Sequence, residues 1–120
     1  MARPLDFATV RRIGLTLPGV TESTAYGSPC LKVRGKLMAC IPVNKSAEPG
    51  SLVVRIDDDQ RAGMIADSPD IYYVTDHYRN YSSVLVRLSR IDEAALTDLL
   101  RSAWNFATTR SPGLRHKLSA

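Results

Sequence analysis

Between two stretches of helical spacing, this chain carries short runs in which apolar side chains recur at every second position, and that change of period restricts its fold more than any other feature. In residues 51–56, Leu52, Val54 and Ile56 fall on one face and Val53 and Arg55 on the other; in residues 84–88, Val84, Val86 and Leu88 alternate with Leu85 and Arg87. Such alternation marks half-buried strands. The flanks follow the other period. Over residues 6–17, Phe7, Val10, Ile13 and Leu17 recur at three- and four-residue spacing, with Arg11 and Arg12 turned away and Pro18-Gly19 ending the pattern. Near the other end, Asp92 caps a long helix whose Leu96, Leu99, Leu100, Ala103, Trp104 and Ala107 form a wide apolar stripe.

The middle of the chain completes the pattern. A polar segment over residues 21–26 leads through Gly27-Ser28-Pro29 into two runs, residues 30–34 and 37–41, separated by Gly35-Lys36. A Gly-X dipeptide between two such runs predicts a hairpin with a II′ turn. In that register Val33 lies across from Met38 and Leu31 across from Cys40, and Lys32 and Arg34 share the opposite face. Cys30 and Cys40 then fall one position out of register on neighbouring strands and point to opposite faces, which disfavours a disulfide between them. After a polar loop over residues 42–50 and the strand over 51–56, Asp57 with Gln60 three residues on reads as a capping pair for a short helix to about residue 66, ended by Asp67-Ser68-Pro69. The run Asp57-Asp58-Asp59 is better explained by that cap and the positive end of the helix dipole than by a metal, since no glycine and distal glutamate follow as a calcium loop requires. Residues 71–75 and 84–88 read as two more strands, joined by a polar, aromatic loop.

The predicted order is helix, three strands, helix, two strands, helix. This is an α+β architecture of two layers, a mostly antiparallel sheet with helices on one face, burying Leu31, Val33, Leu52, Val54, Val84 and Val86. At 120 residues and 44% hydrophobic, the chain is large enough to bury such a core without disulfides or metals. Residues 1–110 read as a single domain and residues 111–120 as a basic, flexible tail. The N-terminus has no apolar run resembling a signal, and no stretch nears membrane-spanning length, so a cytoplasmic location without membrane partners is expected.

The net charge is +4, but residues 99–120, with Arg101, Arg110, Arg115 and Lys117 and no acid, account for the excess. A partner must be sought in local charge instead. Lys32, Arg34, Lys36, Arg55 and Arg87 sit in or beside the strand-like runs, and those runs contain no carboxylate. A basic sheet face follows as an expectation, with Arg79 reaching from the aromatic loop. About four to six phosphate contacts from these cations would give a log-affinity against log-salt slope of about −4 to −5. The same face also carries Leu37, Ile41, Val53 and Leu85, so an ordinary solvated surface or a dimer surface is an equal reading. His77, Tyr78 and Tyr81 beside Arg79 could stack on unpaired bases or line a pocket; packing of the two tyrosines at the sheet edge is the simpler account. No nucleophile and base are arranged for catalysis, and no metal or cofactor is expected.

The segments Leu17-Pro18-Gly19-Val20, Ser23-Thr24-Ala25-Tyr26-Gly27, Lys32-Val33-Arg34-Gly35-Lys36, Leu52-Val53-Val54-Arg55 and Thr75-Asp76-His77-Tyr78, with Tyr81 and Val84-Leu85-Val86-Arg87-Leu88, together resemble the MmcQ/YjbR family of small bacterial proteins. The resemblance runs from about residue 6 to residue 107. It implies a fold like that of the secretion chaperones and a DNA-binding role through two protruding wings, here the turn at Arg34-Gly35-Lys36 and the loop over residues 76–83. Asp76 stands where the family often has proline, and Asn80 and Ser82-Ser83 replace its more usual glycine and proline-tryptophan. The expected function is non-enzymatic DNA binding with little sequence preference, by a monomer or homodimer. The alternative is a protein-interaction or dimerisation module using the open sheet face.

Overall fold

The computed structural model describes residues 5–109, so the expected tail over residues 111–120 lies outside the described residues. Helix α1 (Phe7–Gly14) begins where Asp6, in extended conformation, accepts the Thr9 backbone N–H at 3.2 Å. It stops at Leu15, ahead of Pro18 and of Gly19 at φ +76°. There follow β1 (Val20–Ala25), β2 (Ser28–Val33), β3 (Lys36–Cys40), β4 (Ser51–Arg55), α2 (Asp58–Asp67), β5 (Tyr72–Tyr73), α3 (Asp76–Arg79), β6 (Ser83–Arg87) and α4 (Glu93–Thr109). The caps read from the sequence are present: Asp57 accepts the Gln60 N–H at 2.9 Å, and Asp92 accepts the Ala95 N–H at 2.8 Å.

The strands form one open sheet in the order β1-β2-β3-β4-β6-β5, with every neighbouring pair antiparallel. The α+β class and the expected succession of elements are thus present, with β1 and the single-turn α3 added. Strand β1 is polar because it is an edge. Only Val20 of its six residues is buried, and Glu22 is paired with Arg11 of α1 at 3.1 Å, a charged edge of the kind that discourages further strand pairing.

Helices α1, α2 and α4 pack on one face of the sheet. There Leu31, Val33, Leu52, Val54, Val84 and Val86 are all buried to within 1% of complete exclusion, against Val10, Leu96, Leu100 and Ala103. Gly14 lets α1 approach β2 closely, because a Cβ at that position would collide with Leu31 Cδ1. Trp104 is half-buried on the same layer, its indole N–H donating to the Pro18 carbonyl at 2.8 Å. Among the described residues no helix is long and apolar enough to cross a membrane.

The β2–β3 hairpin departs from the expected register. Its two central residues are Arg34 (φ +54°) and Gly35 (φ +76°), both left-handed, so the turn is of the I′ kind, with Gly second, rather than II′ with Gly first. Leu31 pairs with Ala39, and Lys32 with Leu37, leaving Met38 as the extra residue of a bulge. Cys30 consequently stands directly opposite Cys40, so the two cysteines share a face instead of pointing apart. Both are free thiols.

Candidate binding face

The sheet's second face is not the bare surface the sequence implied. Val53 and Leu85, at 4% and 0% exposure, are covered there by Tyr78 of α3, with Cys40, Ala47, Tyr73 and Val74 packed around them. The loop over residues 76–83 therefore folds down onto the sheet as a cover, through one aromatic anchor. Tyr78 is 9% exposed; its phenol is raised above the ordinary tyrosine range by burial, and its oxygen accepts a hydrogen bond from the Asn44 backbone. Arg61 of α2 fixes the rest of the loop by donating to the carbonyls of Tyr81 (2.9 Å), Ser83 (3.0 Å) and Arg79 (3.3 Å). No sequence signal singled out Arg61, since only the fold brings three carbonyls to its fork of donors.

The cations expected to share this face are divided by the register. Lys32, opposite Leu37, and Arg55, opposite Ser83, lie on the outer face, two strands apart or about 10 Å. Lys36 is the cross-strand partner of the core residue Val33 and begins β3 on the helix side. Arg34, at the turn, reaches the Thr108 carbonyl at the end of α4 at 3.5 Å, where a helix terminus favours positive charge. Arg79 is paired with Asp76 at 3.2 Å.

Arg87 is the most fully engaged of the set. It donates to both carboxylate oxygens of Glu48, at 2.9 and 2.7 Å, and to the carbonyls of Pro69 and Asp70, while its guanidinium lies 4.3 Å from the Tyr73 ring centre. The Tyr73 hydroxyl in turn accepts the Glu48 backbone N–H at 2.8 Å and is 2.6 Å from the Ser51 hydroxyl. The hydrogen bonds from Arg87 hold the Glu48 carboxyl below its ordinary range. Arg87 is thus a clamp between β6, β5 and the loop before β4.

Between Arg55 and the cover lies a pocket of about 500 Å³, floored by Leu37, Cys40 and Val53 and walled by residues 41–44 and by His77, Tyr78 and Tyr81. Tyr26, 90% exposed at the tip of the β1–β2 hairpin, stands at its rim. The His77 ring meets Tyr78 edge-on at 4.7 Å between centres and Tyr81 at 6.1 Å. Asp76 hydrogen-bonds to Arg79 instead of His77. The Cys40 thiol is pushed up to about 11, by burial first and by Cys30 second, so it is protonated at neutral pH and a poor nucleophile. Among the described residues no group of three or more His, Cys, Asp or Glu side chains is placed to hold a metal.

A family model for YjbR matches residues 15–106. Two mycobacterial proteins, Uncharacterized protein Rv2570 of Mycobacterium tuberculosis and Uncharacterized protein Mb2600 of Mycobacterium bovis, are each 40% identical to the chain over 52 residues, which is 42% of this chain and 40% of the relative. The matched stretch is thus less than half the length of these relatives. The crystal structure of Deinococcus radiodurans protein DR2400, family-model domain DUF419, is similar over 99% of this chain and 92% of that chain, with a TM-score of 0.69 and 17% identity, a likeness of fold. With the family model running across most of the sequence, from the end of α1 into α4, the chain belongs to the YjbR family.

Proposed function

We propose that the protein is a non-enzymatic DNA-binding domain of low affinity and little sequence preference, whose phosphate contacts come from the β2–β3 hairpin and not from the whole sheet face. The observation that supports this reading is the concentration of Lys32, Arg34 and Lys36 within five residues of a hairpin that carries no carboxylate. Arg79 and Arg87 are withdrawn by Asp76 and Glu48. Lys32 and Arg34 give about two contacts, for a log-affinity against log-salt slope of about −1.5 to −2. Tyr26 and Tyr81, at 90% and 53% exposure, offer rings on which unpaired bases stack, so single strands are bound in preference to duplex. Fluorescence anisotropy with single-stranded and duplex oligonucleotides at about 20 mM salt, where screening is weak, tests it. Binding that vanishes steeply with added salt is expected; no binding of either oligonucleotide rejects the proposal.

The second reading is an interaction module, favoured by the apolar rim that Tyr26, Val43 (56% exposed) and Tyr81 make around the pocket. It requires self-association or a protein partner at that rim. Light scattering that finds a strict monomer at high concentration removes the self-pairing form of it.

A further inference from the structure

The outer-face pocket has a chemical character that DNA binding by the hairpin does not use. Among the described residues no carboxylate lines it, and its floor and most of its wall are apolar. Its cation, Arg55, spends only Nε–H, donated to the Ser82 carbonyl at 2.9 Å. The two terminal nitrogens of Arg55 donate to nothing among the described residues, and no acid pairs with it there. Directly across from Arg55 in the β4–β6 ladder is Ser83, 1% exposed, and its hydroxyl is the one buried side-chain polar atom among the described residues without a hydrogen-bond partner. Cross-strand partners on one face hold their Cβ atoms about 5 Å apart. An uncommitted guanidinium edge and an unsatisfied hydroxyl therefore converge on one wall of an otherwise apolar cavity.

We propose that this pocket binds a small organic monoanion, a carboxylate carried on a compact aromatic body, with the carboxylate on the terminal nitrogens of Arg55 and the hydroxyl of Ser83. A carboxylate meets the paired terminal N–H groups of a guanidinium in bidentate fashion, which leaves the Nε bond to Ser82 intact. A single charge is implied because one guanidinium offsets one anion. A phosphate dianion or a polyanion would leave charge uncompensated against Leu37, Cys40 and Val53. The aromatic body follows from the lining: His77, Tyr78 and Tyr81 present ring faces and edges, and a volume of about 500 Å³ falls within the range that encloses small-molecule ligands. Tyr26 and Tyr81 also line this pocket and are shared with base stacking, but Arg55 and Ser83, which would hold the carboxylate, are not among the hairpin cations, so the site stands whether or not the protein binds DNA.

The probe is 2-naphthoate, with the neutral 2-naphthamide as its isosteric control, each titrated into the full chain and followed by backbone amide chemical shifts. The expected result is saturable binding of 2-naphthoate, with shifts confined to residues 37–44, 53–55 and 77–83, and affinity for 2-naphthamide lower by about tenfold or more, the scale of a charge-assisted pair. Arg55→Met should bring the two probes to equal affinity. Arg55→Lys, which keeps the charge and tolerates the loss of the Ser82 bond better, should retain a reduced preference for the anion and serves if the methionine variant does not fold. Equal affinity of the two probes for the unmodified protein overturns the proposal. So do shifts that map elsewhere, an undiminished preference in Arg55→Met, or no binding of 2-naphthoate at about 1 mM, the weak end of the useful affinity scale.

Discussion

Whether residues 76–83 form a free wing or a docked cover is decided by one side chain, and Tyr78→Ala measures it. Tyr78 is 9% exposed and covers Val53 and Leu85. A buried tyrosine removes about 150–250 Å² from water, which at about 25 cal/mol per Å² amounts to roughly 4–6 kcal/mol. That is an upper figure because unfolded chains already bury part of this surface, and truncation of buried aromatics to alanine costs about 3–5 kcal/mol. Because α3 is a single turn, part of the loss can be met by local undocking, so the global cost should fall near 3 kcal/mol, at the low end of that range. Tyr78→Phe isolates the phenol: it keeps the packing, loses the bond from the Asn44 backbone, and should cost about 1 kcal/mol. Urea unfolding gives the two stabilities, and native-state hydrogen exchange shows where they act, with amides of residues 76–83 losing protection in the alanine variant. If Tyr78→Ala lies within about 0.5 kcal/mol of the unmodified protein and exchange in the loop is unchanged, Tyr78 does not hold the cover and the docked description is wrong.

The other predictions concern charge and close packing. Lys32→Gln should flatten the salt dependence of oligonucleotide binding by about 0.7–0.9 in slope, one phosphate contact, while Arg87→Gln should leave the slope unaltered and lower the thermal midpoint; the reverse pattern would place phosphate at Arg87. Because the Glu48 carboxyl is held below its ordinary value of 4.5 in the folded protein, its contribution is complete above that pH and is lost as pH falls through the lower folded value. Glu48→Gln should remove that part of the acid sensitivity, and unfolding curves of the two proteins should converge below this window. Gly14→Ala should destabilise by about 1–2 kcal/mol in denaturant, since overpacking against buried Leu31 costs about 1–3 kcal/mol and exceeds the helix-propensity gain of at most about 1 kcal/mol. Leu31→Val in the same chain should recover most of the loss.

The core was legible because burial writes itself into period. Leu52, Val54, Val84 and Val86 alternate in the sequence and are all completely buried in the structure. Caps were legible for the same local reason, as Asp57 and Asp92 each accept an N–H three residues on. Strand β1 was not, because an edge strand with one buried residue has no alternation to read. The hairpin register failed at a finer scale. Arg34 tolerates a left-handed backbone and Met38 is bulged, and together these shift the ladder, bringing Cys30 opposite Cys40 and separating Lys32 from Arg34 and Lys36.

The basic face was misjudged for a different physical reason. The strands that carry the cations contain no acid, whereas charge on a sheet face is set by whatever the connecting segments lay over it. Glu48 is 39 residues from Arg87 in sequence and arrives from the loop before β4; Asp76 arrives on α3. Both loops cross the outer face to cover Val53 and Leu85, apolar residues on the same side as the cations. The burial of those two residues and the neutralisation of Arg87 therefore have one cause. Arg55 escapes it because its neighbour across the ladder is Ser83, not an acid, and the covering segments end at the pocket rim. The uncompensated charge of the outer face is thereby concentrated beside the cavity, where an apolar lining makes it selective for a small anion more than for a polyanion.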